Sequence, residues 1–132
     1  MGDLEKGSGT ASSMLWECQK IIEAKTPKYL MMENVKNLVG KSFKSFFDEW
    51  CEYLEGLGYT NYWKVINAKD CGVAQNRERV FLISIIGEHK PFEFKQPILL
   101  TKKLKDYLDD EVDEKYYLSD EKVNQLITNL KG

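Results

Sequence analysis

Two clusters in this sequence carry side chains that can hold and polarise a polar ligand: Glu33-Asn34-Val35, and Gln75-Asn76-Arg77-Glu78-Arg79. A carboxylate accepts hydrogen bonds or, when shielded from water, shares a proton, whereas a guanidinium is a permanent planar cation with several fixed donors. If extended geometry runs back from Val80, the period of two puts Gln75, Arg77 and Arg79 on one side and Asn76 and Glu78 on the other. In an ordinary α/β domain such residues at strand ends more often pair with each other, so residue type alone leaves both roles open.

The surrounding elements must place these groups. Lys28-Tyr-Leu-Met-Met-Glu-Asn-Val reads as a buried strand whose C-terminal end opens into a site, the position where ligands collect on α/β sheets. Before it, Met14, Leu15, Cys18, Ile21 and Ile22 form one stripe of a helix, with an N-cap at Ser12 or Ser13 and a stop at Thr26-Pro27. After it, Phe43, Phe46, Phe47, Trp50, Leu54 and Leu57 mark the strongest helix, broken by Gly56 and Gly58. Residues 62–68 and 79–86 read as two further strands separated by a polar loop.

From Lys90 the apolar runs disappear. Residues 91–97 read as extended, 102–109 as one short helix, and Ser119 as the cap of a last helix carrying Val123, Leu126, Ile127 and Leu130. Between them Asp109, Asp110, Glu111, Asp113 and Glu114 lack the glycine turn that gathers carboxylates around an ion, so they read as a solvated linker and no metal site is expected.

At 132 residues the chain has room for one core. Its 19 Lys+Arg against 21 Asp+Glu give a net charge of -2, which excludes the global basic field of most free-standing nucleic-acid binders and makes any phosphate contact local. Three cysteines without C-x-x-C spacing and a single His89 argue against structural zinc. Cys18 and Cys51 read as core thiols, Cys71 as a loop residue and His89 as a solvated turn residue. No apolar stretch approaches the roughly 20 residues that span a bilayer, and the polar start lacks a signal-peptide core, so a cytoplasmic protein is expected.

The blocks Pro27-Lys-Tyr-Leu-Met-Met-Glu-Asn-Val-Lys-Asn-Leu and Asn67-Ala-Lys-Asp-Cys-Gly-Val-Ala-Gln-Asn-Arg-Glu-Arg-Val-Phe-Leu-Ile resemble the DNA cytosine-5 methyltransferase family in wording and spacing. Gly9-Thr-Ala-Ser-Ser-Met-Leu-Trp-Glu-Cys resembles the block before them, and the tail is similar to the approach to the family's target-recognition region. The resemblance implies an α/β fold: a partial Rossmann-like methyltransferase sheet of about three strands with flanking helices, plus a helical C-terminal tail. It divides the chain into 1–88, the C-terminal part of a catalytic domain, and 89–132, leading toward a missing recognition region.

The resemblance also implies roles. In this family a cysteine thiolate adds to C6 of a flipped-out cytosine, and C5 takes a methyl group from S-adenosylmethionine. Glu33 matches the glutamate that contacts N3 and the exocyclic amine, Arg79 the arginine at the cytosine O2, and Arg77 a second arginine lining the site. Asn34 and Gln75 match amides that hold the loops, Ser13 a residue on the cytosine side and Met14 one on the cofactor side. Ala11 stands where many members carry a phosphate-binding arginine. The Pro-Cys segment with the nucleophile is missing, since Pro27, Pro91 and Pro97 precede lysine, phenylalanine and isoleucine, and so is a glycine-rich cofactor turn. The expectation is therefore a fragment or subunit acting on DNA with a complementary methyltransferase polypeptide, binding S-adenosylmethionine poorly alone and inactive by itself. A noncatalytic interaction module that associates through a bare sheet edge, with itself or a partner, and a fragment of the RNA-methylating branch are the alternatives.

Overall fold

The structure is a computed structural model in which residues 14–129 are described. Ser12, Ser13, Ala11 and Leu130, named above, lie outside the described residues, as do the side chains of Met14 and Trp16. The chain forms two compact units, residues 1–100 and 101–132.

In the first unit the order is α1 (Met14–Lys25), β1 (Tyr29–Val35), α2 (Lys44–Gly56), β2 (Tyr59–Asn67) and β3 (Glu78–Ile86), with 3-10 turns at Lys36–Val39 and Ala68–Asp70. Helix α1 ends where Thr26 takes a φ of 41°, its N–H still bonded to the Ile22 carbonyl at 2.7 Å, because Pro27 disfavours a helical residue before it. Helix α2 buries Phe47, Trp50 and Leu54 at three- and four-residue steps. Gly58, at φ 92°, then turns the chain directly into β2. That strand starts earlier than the apolar run suggested, since Tyr59 is buried and its hydroxyl donates to the Pro27 carbonyl at 2.7 Å.

The sheet has the order β1-β3-β2 with both pairs antiparallel. Strand β3 is central and holds Val80, Leu82, Ser84 and Ile85 out of water. Strands β1 and β2, joined through α2, run in one direction on either side of it. A parallel β3 would need a crossover of about a dozen residues or more, usually a helix, and loop 68–77 contains only a single 3-10 turn, so β3 returns antiparallel. Leu30, Met32, Val65, Val80 and Leu82 pack with Phe47, Trp50, Leu54 and Ile22 into the core, which lies between the sheet and the helices.

Three expectations are corrected. Strand β1 is an edge strand instead of a buried one: Leu30 and Met32 are half-buried toward the helices, while Tyr29 and Met31 are 65% and 75% exposed on the other face. Cys18 is exposed, as is its stripe neighbour Ile21, because among the described residues α1 stands beside that edge with little beyond it to pack against. His89 is half-buried and hydrogen-bonded.

The second unit carries 3-10 turns at Leu104–Tyr107 and Glu114–Tyr116 and helix α3 (Asp120–Asn129). Its described residues are all exposed, so the buried residues belong to the first unit. No helix among the described residues is long and apolar enough to cross a membrane.

Candidate functional site

Antiparallel pairing of β1 with β3 brings the end of one strand against the start of the other. Val35 lies opposite Arg79, Asn34 opposite Val80 and Glu33 opposite Phe81. Alternation then puts Glu33 and Arg79 diagonally on the same face, away from the helices, within reach of two long side chains. The Arg79 Nε stands 3.1 Å from Glu33 Oε1, and its Nη1 donates to the Glu78 carbonyl at 2.8 Å. The carboxylate is 44% exposed and the guanidinium group's side chain 23%, so both can be reached from solvent. On the opposite face Lys36 Nζ donates to both Glu78 oxygens at 3.0 and 2.9 Å, tying the turn after β1 to the first residue of β3.

The remaining sequence-predicted residues are spread around this pair. Asn34 is exposed and accepts from the N–H of Val35 at 2.8 Å, fixing its own strand end. Gln75 and Arg77 are exposed in loop 68–77 and are held by their backbones: the Gln75 N–H donates to the Val73 carbonyl at 2.7 Å, and the Arg77 N–H donates to Asn67 Oδ1 at 3.0 Å while its carbonyl accepts from Ala68 at 3.0 Å. Met14 opens α1. The contact joins Glu33 and Arg79 and does not include Arg77.

Asn67 is the residue that motif reading passed over. It is buried at the end of β2, its Nδ2 donates to Asn76 Oδ1 at 2.6 Å, and its Oδ1 accepts from both Lys69 and Arg77. One amide thus braces both ends of the arginine loop. The signal was an asparagine at a strand end before a polar run, where such side chains replace backbone partners. Lys36 and Glu78 were also legible only once the register was known.

Beside β1 and beneath α1 lies a cavity of about 440 Å³, walled by Leu15, Ile22, Leu30, Met32, Trp50 and Leu54 with Glu33 at its border. Its other polar wall group, Ser84, gives its hydroxyl proton to Asn61 at 2.6 Å. Such a wall suits apolar side chains. It lacks the donors and acceptors that a charged nucleoside-like cofactor needs. Among the described residues no group of three or more His, Cys, Asp or Glu side chains could hold a metal ion.

What the Glu33–Arg79 pair can do is recognise a planar polar edge. A carboxylate accepts from donors and a guanidinium donates to a carbonyl, and here the two groups hold each other at 3.1 Å.

The chain is 58% identical over 117 residues to the type II methyltransferase M2.ScrFI of Lactococcus lactis subsp. cremoris, covering 89% of this chain and 32% of that protein. It is 39% identical over 122 residues to the orphan methyltransferase M.SssI of Spiroplasma monobiae, with 88% and 31% covered. The chain therefore spans about a third of the length of the curated relatives it matches. Among solved structures, the S. pombe Dnmt2 methyltransferase shares the fold at a TM-score of 0.63 and 18% identity over 89% of this chain and 40% of that one. The Entamoeba histolytica methyltransferase EhMeth does so at 0.57 and 24%, over 82% and 33%. The family description that fits residues 1–131 is C-5 cytosine-specific DNA methylase, and the chain belongs to that family.

Proposed function

We propose that this chain is the second part of the catalytic domain of a DNA cytosine-5 methyltransferase, supplying the groups that hold a flipped cytosine. Glu33 contacts N3 and the exocyclic amine, Arg79 the O2, and Arg77 lines the same site; Asn34 and Gln75 shape the loops, with Ser13 on the cytosine side and Met14 on the cofactor side. The observation that carries this reading is the 3.1 Å approach of Arg79 Nε to Glu33 Oε1 across two strands far apart in sequence. A carboxyl and a permanent cation set side by side match a ring that must be protonated or hydrogen-bonded at N3 while charge develops on it.

The rest of the enzyme belongs to a complementary polypeptide segment. The nucleophilic cysteine loop and the remaining strands of a Rossmann-like sheet come from there, and residues 89–132 lead toward the target-recognition region. The free edge of β1, with Met31 75% exposed, is the surface at which the two parts join. S-adenosylmethionine is the methyl donor of the complete enzyme. The described residues do not fit it, since the cavity beside β1 offers an apolar wall, so its binding to this chain alone is weak or nil. The cytoplasm is the compartment proposed for the complex, in keeping with the free thiols of Cys18, Cys51 and Cys71.

A chimera tests this. The segment of the Lactococcus lactis relative that matches this chain is replaced by the chain itself, and tritium transfer from labelled S-adenosylmethionine to duplex DNA is measured. The chimera should transfer methyl groups, the isolated chain should not, and Glu33→Gln should abolish transfer. A chimera that folds but is inert on DNA and active on RNA would move the assignment to the RNA branch. One inert on both, with the isolated chain still binding a partner, would support the interaction-module reading that the same bare edge favours.

A further inference from the structure

We propose that residues 88–98 form a positioning strap for the arginine loop, with His89, Phe92 and Ile98 as its fixing points. The proposal rests on the reading of residues 75–79 as part of the site. At the far end of β3, Gly87 takes a φ of 79° and reverses the chain. His89 Nδ1 lies 2.7 Å from the Gly87 carbonyl and therefore carries the proton that it donates there. Its Nε2 shares a 3.2 Å hydrogen bond with the Tyr62 hydroxyl, which pins the start of the strap to the middle of β2.

From there the strap lays an aromatic side down. Phe92 and Phe94 are half-buried while Pro91, Glu93 and Lys95 are exposed, the alternation of an extended segment with one covered face. Phe92 meets Tyr62 at a ring-centroid distance of 6.0 Å, and Phe94 meets Phe92 edge-on at 5.0 Å. The far end is held by backbone: the Ile98 N–H donates to the Asp70 carbonyl at 2.7 Å, and Ile98 pairs with Cys71 as a short parallel bridge. Asp70 and Cys71 belong to the same loop that Asn67 braces from inside and that delivers Gln75, Arg77 and Arg79. The loop is thus clamped twice, by an amide from β2 and by a strap that returns along the sheet.

Amide hydrogen exchange on the full chain tests the clamp without reference to methyl transfer. Ile98→Pro deletes the one donor that reaches Asp70. Ile98 is 61% exposed and outside the core, so the fold is not at stake. The expected result is exchange at least about ten-fold faster at the Ala68 and Cys71 amides with Leu82 and Ile83 unchanged. Ile98→Val should exchange as the natural chain does, and Tyr62→Phe, which removes only the hydroxyl bonded to His89, should fall between. Unchanged loop amides in Ile98→Pro would overturn the proposal, and so would one common acceleration across loop and core. Failure of the catalytic reading shows elsewhere, in the response of the chimera to Glu33→Gln. In a chimera that is active, Ile98→Pro should lower kcat about ten-fold with the KM for S-adenosylmethionine unmoved, and Ile98→Val should restore it; an unaltered kcat would remove the strap's bearing on the reaction.

Discussion

Asn67→Ala should cost more than its single side chain suggests. The residue is 7% exposed, and its amide makes three bonds: Nδ2 to Asn76 Oδ1 at 2.6 Å, and Oδ1 from the N–H groups of Arg77 at 3.0 Å and Lys69 at 3.3 Å. Truncation removes the acceptor of two backbone donors and the donor to Asn76. A net hydrogen bond is worth about 1 kcal/mol and an orphaned buried group costs about 1–3 kcal/mol. Arg77 and Lys69 are exposed and regain water, so the longest bond contributes little and the sum is about 2–3 kcal/mol. For a unit of this size that lowers Tm by roughly 10 °C or more. Asn67→Asp keeps the Oδ1 acceptor, now charge-assisted, and Asn76 can rotate its amide to donate, so it should lose less than half as much. Thermal melts of the three chains by near-ultraviolet circular dichroism decide the matter. Equal losses for Ala and Asp, or a change under about 2 °C for Ala, would refute the brace.

Other expectations follow from the same coordinates. Glu33→Gln should change stability by less than about 1 kcal/mol in urea titration, because the partner pair is partly exposed, while lowering transfer by the chimera at least about 100-fold; parallel small losses in both would make the pair structural. Leu54→Ala, at a side chain 1% exposed in the middle of the core, should cost about 2–5 kcal/mol in the same titration, and a smaller loss would mean that the helix layer packs loosely. With a thiol-reactive dye at pH 8, exposed Cys18 and Cys71 should react promptly and Cys51 slowly, since burial and the carboxylates of Asp48 and Glu55 push its thiol up to about 11; equal rates would place Cys51 at the surface. Both Cys51 and Tyr53, raised to about 11 and about 12, hold their protons more tightly when folded, so the stability they support is complete below their ordinary values of 9.0 and 10.0 and is lost as pH rises through the folded ones. Urea midpoints should therefore fall between pH 9 and 12, and Cys51→Ser should flatten the lower part of that fall.

Most of the element order was legible because its signals are local. The stripe from Phe47 to Leu54 fixed α2, and the near-continuous apolar run of β3 marked a strand. Strand β1 carries a similar run, yet it stands at an edge, because a run of apolar residues reports that a strand is meant to be covered and not which chain covers it. The exposure of Cys18 has the same cause, one helix removed. The direction of β3 hung on the length of loop 68–77, which was readable, whereas the burial of Asn67 and the engagement of His89 depended on contacts made across the fold. Of the candidate site, residue types and strand ends were legible, and the approach of Glu33 to Arg79 needed the register.

That register also explains why one fold can carry the site and leave it open. Antiparallel pairing of β1 with β3 is sufficient to bring a carboxylate and a guanidinium to a single end of the sheet. Exclusion of water is a different matter. Glu33 is 44% exposed, and among the described residues the strand that carries it pairs on one side only, so on the proposed reading the low-dielectric surroundings that make a hydrogen-bonded carboxyl effective would be built by whatever pairs with β1. The same docking event would bury Met31 and close the cavity beside α1. On the proposed reading, completion of the sheet and activation of the glutamate are one step, and Met31→Lys, which places a charge at that edge, should weaken both together in any assay that joins the two parts. Association lost with activity retained would separate them and sink the coupling.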